Sequence, residues 1–86
     1  MRIWKENGQV VRFVVQYETT INGRRVPVVR YDTAHGFPHR DEMFRSGAQV
    51  KTPMPETLTL YQALQVAEAD IRPHWRTYRQ QFEGNP

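Results

Sequence analysis

With 86 residues the chain has room for one domain and one modest core. A chain this short buries only roughly 60% of its unfolded surface, so its stability is thin unless it pairs as a homodimer. A hydrophobic content of 38% and a charged content of 24% exclude a disordered chain, and the lack of cysteine excludes disulfides and thiolate metal sites. The cysteine-free composition fits a reducing cytoplasm. No apolar run has the length of a signal peptide or a bilayer span, so no membrane partner is expected. The net charge of +3 comes mostly from arginine, whose planar fork suits phosphate groups, but so modest a charge by itself favours nucleic acid only slightly.

In chain order, two Asn-Gly pairs organise the first half. Both residues tolerate the positive φ of a tight hairpin turn. Asn7-Gly8 joins a short strand, 2–6, to a long one, 9–20, and Asn22-Gly23 joins that strand to 24–33. In the long strand Val11, Phe13, Val15 and Tyr17 alternate with Arg12, Val14, Gln16 and Glu18, so the odd-numbered side is the expected core side. A strict two-residue turn at Asn22-Gly23 pairs Tyr17 with Val28 and Val15 with Arg30, aiming Arg30 and Asp32 at the core. One bulged residue reverses this. Both registers are open.

The connector "RYDTAHGFPHRDE", Arg30 to Glu42, follows. Gly36 and Pro38 make it a tight turn, and a strand starting near His39 places His39 and Asp41 on one side and Arg40 on the other. Around Ser46-Gly47 a third hairpin is expected, and Pro53 and Pro55 close the sheet. Thr59 and Gln62 form a capping box that opens a helix. Leu60, Leu64, Ala67, Ile71, Trp75, Tyr78 and Phe82 then recur every three or four residues as its apolar stripe. Pro73 lies inside this helix and is expected to bend it near Ile71; Gly84-Asn85-Pro86 ends it. The expected fold is α+β: an antiparallel meander of four or five strands packed by one long, proline-kinked C-terminal helix.

Seven ionisable residues (Arg30, Asp32, His35, His39, Arg40, Asp41 and Glu42), with Tyr31, crowd into thirteen positions of the connector region. Three chemistries compete for them. As an acid–base pair, His35 and His39 would move protons at an RNA phosphodiester, Arg30 or Arg40 would hold the phosphate, and Asp32 or Asp41 would orient an imidazole. As a metal set, His35, His39 and Asp41 would supply two nitrogens and a carboxylate, a legitimate but unspecific combination. As a structural corner, the same groups would satisfy buried polar atoms. Spacing alone ranks the structural corner first; crowding on a connector raises the other two. Arg72, Arg76 and Arg79 share one helix face and form a second phosphate-tracking candidate, of interest if it adjoins the histidines. Trp4 and Trp75 read as core or core edge.

At Tyr31, Asp32, His35, Gly36, His39 and Asp41 the chain resembles small prokaryotic proteins with a "YD-x-AHG…H-x-D" signature, which look related to TumE-type toxin components of toxin–antitoxin pairs. The resemblance implies a cytoplasmic toxin acting on RNA or translation and neutralised by an antitoxin. Together with the residues it gives the leading expectation. This is an RNA-directed, toxin-like, metal-independent ribonuclease without cofactor, with His35, His39, Arg30, Asp32 and Asp41 as its catalytic set. Arg40, Tyr31, Arg72, Arg76 and Arg79 would contact RNA. The rival expectation is a non-catalytic RNA- or protein-binding module whose histidine corner is structural.

Overall fold

A computed structural model describes residues 1–84, apart from the side chain of His35. Five strands, β1 (Arg2–Glu6), β2 (Gln9–Ile21), β3 (Arg24–Asp32), β4 (His39–Met43) and β5 (Gln49–Pro53), form one antiparallel sheet in the order β1-β2-β3-β4-β5. A 3₁₀ turn, Ala34–Gly36, links β3 to β4, and one helix, α1 (Leu60–Gly84), follows the sheet. The expected α+β meander with its C-terminal helix is therefore the observed one. The Asn85-Pro86 stop lies outside the described residues.

Local chemistry explains the turns. Asn7 and Asn22 have φ of 50° and 52°, and Gly8 and Gly23 follow at 76° and 77°. Positive φ at both central residues is the two-residue turn that matches the twist of paired strands. Thr59 and Gln62 close the capping box in both directions: the Thr59 N–H donates to Gln62 Oε1 at 2.9 Å, and the Gln62 N–H donates to Thr59 Oγ1 at 3.1 Å. Thr59→Ala is expected to lower the urea midpoint by the equivalent of about 1 kcal/mol, with the helical circular-dichroism signal of the native state retained. An unchanged midpoint would show that the cap adds nothing.

The core lies between α1 and one side of the sheet. Phe13, Val15, Val29 and Tyr31 from β2 and β3 meet Ala63, Leu64, Ala67, Tyr78 and Phe82 from the helix. Ile71 is half-buried. Trp75 is the exposed member of the stripe, its ring edge-on to Tyr17 with centroids 6.0 Å apart. The helix continues unbroken through Pro73. Among the described residues no helix is long and apolar enough to cross a membrane.

The Asn22-Gly23 turn has two residues, yet the register it starts does not persist. Glu18 pairs with Pro27, whereas the next pair is Tyr17 with Val29, so Val28 is an extra residue in β3. The bulge follows Pro27, which has no N–H to give to a ladder. Beyond it Val15 pairs with Tyr31, and Arg30 and Asp32 take the opposite side.

Candidate functional site

The bulge divides the connector residues between the two sides of the sheet. Tyr31 pairs with Arg40 and faces α1; Arg30 pairs with Asp41 and Asp32 with His39, all facing away from it. Of the two registers open in the sequence, the structure takes the one that turns Arg30 and Asp32 from the helix.

On the side away from α1, His39 Nε2 lies 3.0 Å from Asp32 Oδ1 and 3.4 Å from Asp41 Oδ2. His39 Nδ1 lies 3.3 Å from the Phe37 carbonyl oxygen. Asp32 Oδ1 also accepts the Ala34 N–H at 3.1 Å, which fixes its carboxylate to the start of the 3₁₀ turn. Lys51 Nζ, on the neighbouring strand, stands 3.9 Å from Asp41 Oδ1. His39 is 1% exposed, and Asp32 and Asp41 are 7% and 6% exposed. Such burial demands paired charge, since an isolated ion here is costly to desolvate. Arg30 sits one row away and donates from Nε to Gln16 Oε1 at 2.6 Å. The backbone of His35 lies in the 3₁₀ turn; its proposed role rests on a side chain outside the described residues.

The helix-facing side holds a second cluster that sequence reasoning missed. Tyr31 donates its hydroxyl to Asp70 Oδ2 at 2.6 Å, and the Tyr78 hydroxyl donates to the same oxygen. Arg40 Nη1 reaches the Tyr78 hydroxyl at 3.4 Å, and Arg40 Nη2 stands 3.5 Å from Glu42. His74 Nδ1 lies 3.2 Å from Asp70 Oδ1. Burial, followed by hydrogen bonding to Asp70, pushes the Tyr78 hydroxyl up to about 12 and the Tyr31 hydroxyl higher still. Burial works against the Asp70 charge, but hydrogen bonds from Tyr31, Tyr78 and His74 outweigh it and hold the carboxyl below its usual range. Donors that stay protonated around an acceptor that stays ionised make a rivet joining β3, β4 and α1, not a proton relay at neutral pH.

Asp70 and His74 stand four residues apart on a helical flank that runs into the apolar stripe at Tyr78, four residues further on. That spacing was the available signal for this cluster. Arg40 lies across the sheet from His39, as the strand alternation predicts, and Tyr31 goes with it, so neither adjoins the histidine corner as a phosphate contact. Both border a small cleft of about 190 Å³, lined also by Thr52, Met54 and Val66.

Arg72, Arg76 and Arg79 are exposed on α1 and therefore lie on the other side of the sheet from the histidine corner. Arg72 pairs with Glu68 at 3.4 Å and Arg79 with Glu83 at 3.2 Å, while the Arg76 guanidinium lies 4.9 Å from the Trp75 ring centre. The condition that would have made this row a partner of the histidines is not met.

Trp4 occupies an unexpected place. Register puts Arg2, Trp4 and Arg12 on the side of the sheet away from α1, with Arg30 and Lys51 further along it. The guanidinium carbons of Arg2 and Arg12 lie 5.5 and 4.3 Å from the Trp4 ring centre. The indole is thus flanked by two cations on an uncovered sheet, not tucked into the core edge.

A five-stranded meander, covered by a helix on one side and bearing arginines and an aromatic on the other, defines a small two-layer α+β domain. The chain belongs to the family described as a domain of unknown function, DUF7718, which it matches over residues 1–85. No curated protein and no solved structure matches it.

Proposed function

We propose that this chain is an RNA-directed binding module that lays a single strand across the uncovered side of its sheet, with the His39 corner as structural support. The observation that carries the proposal is the Trp4 ring flanked by Arg2 and Arg12 on a sheet surface that also bears Arg30 and Lys51. An exposed cation–π contact stabilises by only about 0.5–1 kcal/mol, whereas a base stacked on an aromatic ring contributes roughly 1–3 kcal/mol. A base can therefore displace a guanidinium from the indole and free it for the phosphate backbone. The toxin-like role implied by the motif would then be exercised by occupying RNA, and an antitoxin would compete for the same surface. A ribonuclease acting through His39 is supported less, because its imidazole is 2% exposed and proton transfer needs hydrogen-bond reach to the substrate.

Fluorescence anisotropy of a labelled single-stranded RNA tests this. Saturable binding is expected, weakening as salt rises with a slope of about −0.7 per phosphate neutralised. Trp4→Ala and Arg12→Ala should each weaken it, the former by roughly 5- to 150-fold. Wild-type affinity in both variants, or no binding, would overturn the proposal. Recovery of cleaved RNA in the presence of chelator, with cleavage lost in His35→Ala and His39→Ala, would replace it with the ribonuclease.

A further inference from the structure

Three acceptors among the described residues stand around His39 and pose a chemical question. The Phe37 carbonyl and the carboxylates of Asp32 and Asp41 all lack a hydrogen to offer, so each contact asks the imidazole for one. A neutral ring that donates from Nδ1 to Phe37 presents a lone pair at Nε2, and both carboxylates stand around that lone pair. Something positive belongs between them.

The spacing matches a metal ion. Two donors each about 2.1 Å from one ion lie roughly 3.0 Å apart at a right angle and roughly 3.4 Å apart at the tetrahedral angle. The observed separations from His39 Nε2 are 3.0 Å to Asp32 and 3.4 Å to Asp41. Ligand atoms of all three residues fall within 4.8 Å of one another. The outer contacts also fit. A ligating histidine ordinarily gives its second ring N–H to a carbonyl, as Nδ1 can to Phe37, and ligating carboxylates are themselves hydrogen-bonded, as Asp32 is by Ala34. Independently, Asp41 Oδ1 is a buried oxygen with no hydrogen-bond partner among the described residues, the Lys51 ammonium being 3.9 Å away. Asp41 is 91% buried by its side-chain exposure of 9%, and an ion held by both of its oxygens would give Oδ1 the partner it lacks.

We propose that Asp32, His39 and Asp41 bind one divalent transition-metal ion on the uncovered side of the sheet. One imidazole nitrogen with two carboxylate oxygens selects the Mn²⁺, Fe²⁺, Co²⁺ and Zn²⁺ class over soft thiolate-seeking ions. Their summed charge of −2 matches a divalent ion. The proposal does not rest on RNA binding. Three protein donors leave at least one position of the ion for water.

The test uses the full chain, stripped with chelator and then titrated with Co²⁺ and Mn²⁺. Uptake of one Co²⁺ per chain is expected, with visible absorption bands of a nitrogen–oxygen site and a higher melting temperature. Mn²⁺ should broaden the His39 ring signals in the NMR spectrum before those of His74. Asp41→Asn and Asp32→Asn keep the side-chain shape and should each weaken Co²⁺ binding at least tenfold. Absence of stoichiometric uptake by the wild-type chain, or uptake that leaves His39 sharp, overturns the proposal even if the variants do not fold. So does wild-type affinity in both folded variants. In those cases the imidazole, hydrogen-bonded between the carboxylates, holds the corner without an ion.

Discussion

His39→Ala, measured in the presence of chelator, is expected to cost about 3–5 kcal/mol of unfolding free energy, because it leaves two buried carboxylates without the imidazole that stands between them. Asp32 and Asp41 would then face each other across an emptied space, with Lys51 3.9 Å from the far oxygen of Asp41 as the remaining cation recorded at that carboxylate. Domains of this size have roughly 5–15 kcal/mol in total, so the variant would lose about a fifth of its stability at the least and nearly all of it at the most. At about 4–8 °C per kcal/mol the melting temperature should drop by well over 10 °C. The combined variant Asp32→Val, His39→Met, Asp41→Val removes all three polar groups together and should recover most of the loss. Equal damage from the single and the combined change would show that shape and not charge is what the corner contributes. A His39→Ala variant melting within a few degrees of wild type would mean the corner is not a structural support.

Asp70→Ala is expected to cost about 2–4 kcal/mol, since hydrogen bonds to a charged acceptor are worth roughly 1.5–3 kcal/mol each and two tyrosines share this one. Its partial exposure keeps the figure below the full sum. The pH dependence distinguishes this rivet from a simple packing loss. The Asp70 carboxyl is held low when folded. Its contribution is thus complete above the ordinary carboxylate value of about 4 and fades as pH falls through its folded value. Tyr31 and Tyr78 are raised. Their contribution is complete below the ordinary tyrosine value of about 10 and fades as pH climbs, for Tyr78 towards about 12. Urea midpoints followed from acid to alkali should therefore fall at both ends for the wild-type chain. In Asp70→Ala the acid limb should flatten, and the alkaline limb should shrink without vanishing, because burial is the larger cause at both tyrosines. Identical profiles for variant and wild type would remove the rivet from the account.

What the sequence made legible was local chemistry. The Asn-Gly turns, the Thr59–Gln62 box and the alternation around Phe13 depend on neighbours a few residues away, and each element stands where those neighbours put it. The side of the sheet taken by Arg30 and Asp32 was not legible, because it turns on one unpaired residue, Val28, five positions beyond the hairpin turn. Pro27 marked the neighbourhood but not the count. The Asp70 cluster was hidden for another reason: its partners come from β3, β4 and α1, and only packing brings Tyr31 to a carboxylate 39 residues away. The arginine row contained its own correction in plain view, since Glu68 and Glu83 stand four residues from Arg72 and Arg79, the spacing of a helical ion pair. Trp4 was read from its apolar ring alone, and the arginine across the hairpin at position 12 changes its meaning.

The order β1-β2-β3-β4-β5 has a consequence for the timing of assembly. Every strand pairs with its neighbour in the chain, so the sheet closes only short loops as it forms and needs no distant segment to find its register. The helix follows all five strands, so in folding the sheet can form while Phe13, Val15 and Tyr31 still await their cover. For that interval an apolar sheet surface is open to other chains, and its fate depends on how quickly Leu64, Ala67, Tyr78 and Phe82 arrive.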